Sequence, residues 1–234
     1  GRLVLRALLE RDDHDLQVVA INDLGSPESN LHLFTYDSIH GTYAKPITLE
    51  GNYMVSGSQR MQILQESKPE NLPWKELDVD IVFECSGHFA SRAGAELHLK
   101  AGAKKVLISA PANDADITVV FGVNHTEIQK DFKIISNASC TTNCLGPLAS
   151  VLDKELGIER GFMTTIHAYT GDQRLVDTTH SDPRRARAAA LSMIPTSTGA
   201  AKAVGLVLPR LKGKIDGTAI RVPTPNVSFV DFKF

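Results

Sequence analysis

Short apolar runs that alternate with helical segments constrain the fold of this chain more than any other feature of its sequence. The run Leu16–Asp23 is nearly continuous in apolar residues and ends in an acid, which is typical of a strand buried on both faces of a parallel sheet. Further buried strands are predicted at Val79–Cys85, Lys105–Ser109, Ile117–Val123 and Phe132–Ser136, with helices at Gly1–Glu10 and Ser91–Ala101. This alternation predicts an α/β fold with a Rossmann-type, doubly wound parallel sheet over residues 1–138.

From residue 139 onward the pattern is that of a second, α+β domain. The predicted elements are a helix at Thr141–Leu156, a strand at Gly161–Tyr169, a polar and basic stretch at Gly171–Pro195, a helix at Gly199–Leu208 and two paired strands at Thr218–Val222 and Val227–Phe234. We therefore expect two domains, residues 1–138 and residues 139–234.

Both ends of the sequence indicate that the chain is part of a longer polypeptide. The chain opens in a helical segment with no initiating Met and no capping residue ahead of Gly1. It closes in Ser228–Phe234, which alternates like a strand to its last residue, although a domain rarely stops with an unpaired aromatic edge. We expect an interior part of a longer polypeptide, lacking the first strand of domain one and the end of domain two.

Charge and cysteine content exclude several partners and compartments. The 25 Lys and Arg residues against 27 Asp and Glu residues give a net charge of −2, so nucleic acid and anionic membranes are not expected partners. No stretch reaches the roughly 18 apolar residues of a spanning helix. Three cysteines are too few and odd in number for a disulfide framework, and they favour a reducing, cytoplasmic location.

The spacing of Gly1 and Asp23 is compatible with dinucleotide binding. In a Rossmann half, a glycine turn precedes a helix, and an acid about 20 positions later accepts from the adenosine ribose. The alternative is that Asp23 is only a turn residue after a strand. Two further predicted strand ends carry small polar residues, around Gly87 and Ser109, where ligands bind in this architecture. A carboxylate at Asp23 repels a 2′-phosphate and favours NAD over NADP.

Cys140 is the sharpest candidate for a reactive residue. It lies in Ser136–Cys144 between a predicted strand and a predicted helix, where unpaired backbone N–H groups and the helix dipole favour a thiolate. The alternative, an inert buried cysteine, fits poorly because Ser, Thr and Asn flank it. Cys144, one turn further into the helix, is predicted to be a core residue.

A thiolate nucleophile needs a base, and His167 at the end of a predicted strand is of the right type. A structural histidine on a half-buried strand is the open alternative. The other histidines lack the short spacings of metal ligands, so no metal site is predicted.

Several residues in the second half are suited to binding anions. Arg184, Arg185 and Arg187 supply guanidinium groups, and the hydroxyl-rich segment 195–199 directly precedes a helix. Solvent exposure is the favoured interpretation for Arg184 and Arg187, and less so for Arg185. Arg221 stands among apolar strand residues and needs an anionic partner, either a protein carboxylate or a ligand.

Five segments together resemble one family, the phosphorylating glyceraldehyde-3-phosphate dehydrogenases. These are Ser139–Asn143, His167–Thr170, Arg184–Ala189, Pro195–Lys202 and Arg221–Asn226. The likeness spans the entire chain and extends to Tyr36–Ser38, His40-Gly41 and Gly122–His125.

The resemblance implies a reaction and a role for each candidate residue. Cys140 would attack the aldehyde of glyceraldehyde 3-phosphate, NAD would be reduced, and inorganic phosphate would cleave the thioester to 1,3-bisphosphoglycerate, a step of glycolysis. His167 would act as the base. Thr170 and Arg221 would hold the substrate phosphate, whereas Ser139, Thr141, Thr198, Gly199 and Arg185 would hold the attacking phosphate. Asn22, Asp23, Gly87 and Ser109 would contact the cofactor, which makes residues 1–138 the NAD-binding domain and residues 139–234 the catalytic domain.

The resemblance also implies a homotetramer, with Gly171–Pro195 near a neighbouring subunit. Thr178-Thr179 stand where NAD-restricted members often carry Leu-Pro, so some use of NADP is compatible with the sequence. Pro183 replaces a residue that is usually Leu or Trp. Two alternatives stay open: an erythrose-4-phosphate dehydrogenase, and a non-catalytic relative that senses redox state or binds a partner through Cys140.

Overall fold

The computed structural model describes residues 1–11 and 13–234. Its helices are α1 (Arg2–Glu10), α2 (Pro27–Thr35), α3 (Arg92–Lys100), α4 (Cys140–Glu155) and α5 (Ala200–Val207). Its strands are β1 (Ala20–Asn22), β2 (Tyr36–Asp37), β3 (Gly41–Thr42), β4 (Thr48–Glu50), β5 (Tyr53–Ser56), β6 (Gln59–Leu64), β7 (Ile81–Glu84), β8 (Lys105–Ile108), β9 (Ile117–Thr118), β10 (Ile134–Ser136), β11 (Gly161–Ala168), β12 (Ile194–Ser197), β13 (Ile215–Val222) and β14 (Ser228–Lys233). The α/β fold class is confirmed.

The chain divides into two compact units. The first contains Gly1–Ser109 and Lys133–Ile135, and the second contains Ala110–Phe132 and Ser136–Phe234. Residues 110–132, which the sequence places in the first domain, therefore belong by their contacts to the second unit. Within the part of the chain that the structure describes, no helix is long and apolar enough to cross a membrane.

The first unit carries its parallel strands in two sheets. Strands β7 and β8 are parallel, with β10 next to β8. Strand β1 pairs in parallel with β6, but β6, β5 and β4 then continue as an antiparallel meander. The sequence analysis missed this meander, although its turn signals are present. Gly51-Asn52 and Gly57-Ser58 are two-residue hairpin loops, and both glycines have positive φ, 61° and 58°.

Strand β1 is shorter and less buried than the sequence predicts. Only Ala20–Asn22 join the ladder, and these residues are half-buried or exposed, so the expectation of a strand buried on both faces from Leu16 is wrong. The physical reason lies in the partner strand. Ahead of Ala20, the backbone N–H of Val18 donates to the side chain of Gln59 at 3.0 Å, which replaces a ladder hydrogen bond.

The second unit is built on a four-stranded sheet in the order β12-β13-β11-β14. Strand β11 is parallel to β13 and antiparallel to β14. The expectation that the last two strands pair with each other is wrong, because β11 lies between them. Helices α4 and α5 contribute to the core behind this sheet, where Leu145, Met163 and Val204 are fully buried.

Candidate active site

Cys140 is the first residue of α4, so its side chain stands at the positive end of a 16-residue helix. Ser139 is the N-cap, and its hydroxyl accepts a hydrogen bond from the backbone N–H of Thr142 at 3.1 Å. The residue before the cap, Ala138, is buried with a φ of 55°, a conformation that costs energy for a residue with a Cβ. The local sequence thus turns sharply out of β10 and leaves the Cys140 side chain exposed.

His167 faces this thiol from the sheet. Its Nε2 atom lies 3.3 Å from Cys140 Sγ, and the imidazole is 7% exposed near the end of β11. The Nδ1 atom lies 2.7 Å from the backbone oxygen of Ala168. Two groups compete for Nδ1: the Ala168 oxygen, which can only accept, and Arg221 Nη1, which can only donate and lies 3.1 Å away. The shorter distance, to Ala168, assigns a proton to Nδ1 and leaves Nε2 as the acceptor for the thiol proton in the neutral ring.

Arg221 completes the group from the neighbouring strand. The parallel register pairs Arg221 directly with His167. Its Nη1 atom donates to the Ala168 oxygen at 3.0 Å and reaches Thr170 Oγ1 at 3.4 Å. Its Nε atom is buried without a hydrogen-bond partner, and among the described residues no carboxylate lies within 4.0 Å of the guanidinium. The sequence analysis required an anionic partner for Arg221, and the described residues supply none.

The electrostatics of the site favour a neutral imidazole. Burial lowers the pKa of His167, and the positive charges of Arg221 and Arg185 lower it further, against a raising effect from the hydrogen bond to Ala168. The pKa of Arg221 is lowered by burial and by the like charge of Arg185. His167 is therefore suited to accept a proton and to release it again readily.

A pocket of about 400 Å³ opens beside the thiol. It is lined by Cys140, His167 and Thr170 and by the segment Pro225–Ser228. Val227 in that segment has a φ of 70°, which is strained for a β-branched residue. A small polar substrate fits such an opening.

A second group of the predicted residues gathers at two helix N-termini. Helices α4 and α5 begin side by side, since the Thr142 hydroxyl donates to the Ala200 oxygen at 3.3 Å. Thr141 is buried at the start of α4, and Gly199 is the N-cap of α5. The Thr198 hydroxyl accepts from the Ala200 N–H at 3.2 Å. Two helix N-termini with flanking hydroxyls form a favourable place for an anion.

The three arginines of the loop differ as the sequence predicts. The side chains of Arg184 and Arg187 are 53% and 73% exposed, whereas that of Arg185 is 20% exposed. Arg185 Nε donates to the hydroxyl of Thr196 at 3.0 Å. Sequence reasoning missed Thr196 and also Asp172, the carboxylate that pairs with Arg185. The available signal was an acid two residues after Thr170, close to an arginine run that needs a counter-charge.

The predicted cofactor residues lie at the carboxyl ends of strands in the first unit. Asp23 follows β1 and is exposed. One of its carboxylate oxygens accepts from the Gly25 N–H at 2.8 Å. The other oxygen has no partner among the described residues, so it is free to accept from a ribose hydroxyl. Asn22 uses both polar atoms of its side chain on the backbone of Glu66. Gly87 follows β7 with a φ of 79°.

Ser109 follows β8, and its backbone N–H donates to the backbone oxygen of Glu84 at 3.0 Å. Gly1, at the start of α1, lies close enough to Cys85 that a Cβ there would stand 3.7 Å from the cysteine Cβ. The N-terminus of a helix thus lies next to the carboxyl end of β7, an arrangement that suits a pyrophosphate. These residues fit a dinucleotide.

Two other sequence expectations concern the cysteines and metals. Cys144 is exposed, so the prediction of a core residue is wrong: the buried face of α4 carries Thr141, Leu145 and Ala149 instead. In the described part of the chain, no cluster of three or more His, Cys, Asp or Glu side chains is arranged to hold a metal ion.

Comparison with known proteins gives the family. Residues 1–92 match the family model described as glyceraldehyde 3-phosphate dehydrogenase, NAD binding domain, and residues 139–234 match the C-terminal domain of the same family. Similar proteins, each called glyceraldehyde-3-phosphate dehydrogenase, come from Xanthobacter flavus (60% identical over 234 residues), Zymomonas mobilis (60% over 235) and Geobacillus stearothermophilus (56% over 232). The alignments cover 100%, 100% and 99% of this chain and 70%, 70% and 69% of the respective relatives.

A cysteine beside a histidine in one unit, together with an NAD-binding domain, defines the class: the chain is an oxidoreductase of the NAD-dependent aldehyde dehydrogenases. Within that class it belongs to the glyceraldehyde 3-phosphate dehydrogenase family, and NAD is its cofactor.

The electrostatic account of His167 can be tested by replacing Arg221 with Leu. Loss of the neighbouring positive charge should raise the pKa of His167, because the imidazolium is then less disfavoured. The pKa is measured by NMR titration of the His167 ring protons. The control is Arg60→Leu, which removes an exposed guanidinium that pairs with Glu50 in the other unit. This variant should leave the pKa of His167 unchanged. A lower or unchanged pKa in Arg221→Leu contradicts the account.

Proposed function

We propose that Cys140 and His167 carry out the phosphorylating oxidation of D-glyceraldehyde 3-phosphate to 1,3-bisphosphoglycerate. The single observation that carries this proposal is the 3.3 Å approach of Cys140 Sγ to His167 Nε2 beside a partly buried guanidinium, that of Arg221, which has no carboxylate partner among the described residues. As the sulfur attacks the aldehyde carbon, the thiol proton passes to Nε2 and from there to the former carbonyl oxygen, so that a hemithioacetal forms and the imidazole is neutral again.

His167 acts again in the oxidation. Its Nε2 atom accepts the hydroxyl proton of the hemithioacetal, and the electron pair of that O–H bond forms the thioester carbonyl. The residues assigned to the cofactor, Asn22, Asp23, Gly87 and Ser109, would hold NAD, which would supply the acceptor for the hydride on that carbon. An oxygen of inorganic phosphate then attacks the thioester carbon and the sulfur leaves as a thiolate, which yields the acyl phosphate.

Two positions for charged oxygens support this chemistry. Arg221 and Thr170 are assigned to the phosphate of the substrate, because the guanidinium is partly buried without a carboxylate among the described residues. The attacking phosphate is assigned to Ser139, Thr141, Thr198, Gly199 and Arg185, on the strength of the two adjoining helix N-termini.

For the cofactor we assign Asn22, Asp23, Gly87 and Ser109. Asp23 accepts from the adenosine ribose and disfavours a 2′-phosphate, so NAD is preferred, while Thr178-Thr179 stay compatible with some use of NADP. We also propose the domain division at 138/139 and a cytoplasmic location; the latter is supported by three cysteines that are all unpaired.

Two alternative functions would use the same cysteine. An erythrose-4-phosphate dehydrogenase would use the same cysteine chemistry, but Thr170 and Ser109–Pro111 resemble the triose enzyme more. A non-catalytic redox sensor would need Cys140 alone, and the joint presence of His167 and Arg221 around the sulfur favours catalysis.

Steady turnover should require Cys140 and inorganic phosphate. Cys140→Ser removes the nucleophile and should lower kcat at least about 10³-fold. Cys144→Ser makes the same exchange one helical turn away, in the lining of the same pocket but with no histidine bond to its sulfur, and should lower kcat far less. The assay follows reduced cofactor with the complete polypeptide. Without phosphate, a single burst should appear, because the thioester accumulates.

Continued turnover without phosphate would instead mean hydrolysis of the thioester and would contradict the phosphorylating reaction. In the same assay, a higher kcat/KM for erythrose 4-phosphate than for glyceraldehyde 3-phosphate would favour the first alternative.

We further propose that the chain forms a homo-oligomer, a tetramer by family resemblance. The supporting feature is an apolar row across the sheet of the second unit: Pro195, Ile220, Ile166 and Phe229 are register partners on four adjacent strands. This row lies on the face opposite the buried Met163 and Thr165, and Phe229 is 63% exposed. A second copy of the same face can cover it with two-fold symmetry.

Phe229→Asp places a charge in this row and should shift the protein towards smaller species, because an unpaired carboxylate is costly in an apolar interface. Analytical ultracentrifugation of the complete polypeptide measures the shift. Phe121→Asp, at a 79% exposed site outside the row, is the control and should leave the assembly intact. A wild-type protein that sediments as a monomer contradicts the proposal.

A further inference from the structure

A buried carboxylate ends strand β7 in the first unit. Glu84 is 6% exposed, and its neighbour His98, on α3, is 5% exposed. His98 Nε2 lies 3.0 Å from Glu84 Oε2, and the indole Nε1 of Trp74 lies 3.1 Å from His98 Nδ1. An indole N–H can only donate, so His98 Nδ1 accepts and the proton of the neutral ring is on Nε2, which donates it to Glu84. None of these three side chains takes part in the proposed reaction.

The second oxygen of Glu84 holds the turn that follows β7. Glu84 Oε1 accepts from the backbone N–H of Ser86 at 2.6 Å and from the hydroxyl of the same serine. The Ser86 hydroxyl oxygen in turn accepts from the backbone N–H of His88 at 3.1 Å. These bonds span Gly87, which has a φ of 79° and which we assigned to the cofactor. The conformation of the turn at Gly87 is therefore tied to the carboxylate of Glu84.

The hydrogen bonds of this network all run towards Glu84. Burial opposes ionisation of Glu84, but the hydrogen bonds from His98 and Ser86 outweigh burial and lower its pKa. Glu84 is therefore a carboxylate at neutral pH, and a carboxylate only accepts hydrogen bonds. A glutamine could not replace it, because its amide N–H₂ would face a donor of either His98 or Ser86. The other tautomer of His98 gives no escape, since its proton would face the indole N–H of Trp74.

The turn lies beside the helix N-terminus that suits a pyrophosphate. A Cβ on Gly1, at the start of α1, would stand 3.7 Å from the Cβ of Cys85. A Cβ on Gly87 would meet no atom of the described residues within 4 Å. The turn is thus fixed from within by Glu84 and open to a ligand at Gly87.

Helix α3 holds the same turn at two points. Its residue Gly94 packs so closely on the turn that a Cβ there would stand 2.7 Å from the Cα of Phe89. One helical turn further along, His98 donates to Glu84. The contact of His98 with Glu84 therefore joins the position of α3 to the conformation of residues 85–88.

We propose that Glu84 is a positioning residue for the dinucleotide, and that its carboxylate, held by His98 and Trp74, fixes the backbone of residues 85–88 in the conformation that receives the cofactor. Because the turn is ordered before the cofactor arrives, binding does not lose the conformational entropy of ordering it. The inference rests on the proposed assignment of Gly87 to the cofactor site. Glu84 acts on the affinity for NAD and has no part in the chemical step.

Ser86 offers a test that requires no substitution in the core, because the residue is exposed. Ser86→Ala removes the hydroxyl that links Glu84 to the N–H of His88 and should raise the dissociation constant of NAD about three- to tenfold. Ser86→Thr keeps that hydroxyl and should stay within about twofold of the wild type. Isothermal titration calorimetry of the complete polypeptide with NAD alone, without aldehyde or phosphate, measures these constants.

A double-mutant cycle distinguishes positioning through Glu84 from a direct contact of Ser86 with the cofactor. Glu84→Gln should weaken NAD binding at least as much as Ser86→Ala does. Adding Ser86→Ala to Glu84→Gln should then have little further effect, because both changes break the same link. Full additivity would mean that Ser86 acts on the cofactor independently of Glu84, and it would contradict the inference.

Two variants of His98 and one control separate positioning from loss of stability. His98→Gln keeps an N–H donor for Glu84 and should bind NAD more tightly than His98→Leu, which has none. The control is Met54→Ala, which leaves a cavity in the core of the same unit, at a residue that is 2% exposed. It should lower the melting temperature and leave the dissociation constant of NAD unchanged.

Steady-state kinetics of the complete enzyme give a second readout. The Ser86→Ala and Glu84→Gln variants should raise the KM for NAD, while kcat at saturating NAD and the KM for the aldehyde stay within about twofold. A lower kcat with an unchanged dissociation constant for NAD would overturn the inference, as would wild-type affinity in both variants.

Failure of the underlying assignment has a separate signature. In the wild-type protein, the amide resonance of Gly87 should shift on titration with NAD. A resonance that does not move while calorimetry shows binding would mean that Gly87 lies outside the cofactor site, whatever the variants of Glu84 and Ser86 show.

Discussion

The parallel hydrogen-bonded register between β11 and β13 is the constraint on which the site depends. It sets His167 directly opposite Arg221, so the two side chains share the backbone oxygen of Ala168 as acceptor. That shared acceptor holds a proton on Nδ1 and turns Nε2 towards Cys140 Sγ at 3.3 Å. A shift of β11 by one residue would turn His167 to the other face of the sheet, away from both Arg221 and the sulfur.

The same arrangement concentrates positive charge in a chain whose net charge is −2. Two guanidiniums and two helix N-termini lie around one thiol, and they favour substrates that carry phosphate. Burial and the charges of both arginines also lower the pKa of His167. The lowered pKa suits the reaction, since a base that holds its proton weakly can return it within the same catalytic cycle.

The parts of the site that depend on neighbouring residues in the chain could be predicted from the sequence. A Ser at position 139 caps the helix, so Cys140 falls at its first turn, and the end of an apolar run places His167 at a strand terminus. Pairing over long sequence distances could not be predicted in this way. The insertion of β11 between β13 and β14, and the ion pair of Asp172 with Arg185 across 13 residues, depend on tertiary contacts.

Two other features were missed for different reasons. The β4–β6 meander was predictable from its Gly-Asn and Gly-Ser turns. The exposure of Cys144 was not, because it depends on which face of α4 packs against the core.

The measurement that tests the central claim most directly is ¹⁵N NMR of the His167 imidazole in the unliganded enzyme at neutral pH. The account predicts the chemical shifts of a neutral ring protonated on Nδ1, because Ala168 accepts that proton and the surrounding charge opposes a second one. Shifts of an imidazolium, or of the tautomer protonated on Nε2, would contradict the role of His167 as the base that receives the proton of Cys140.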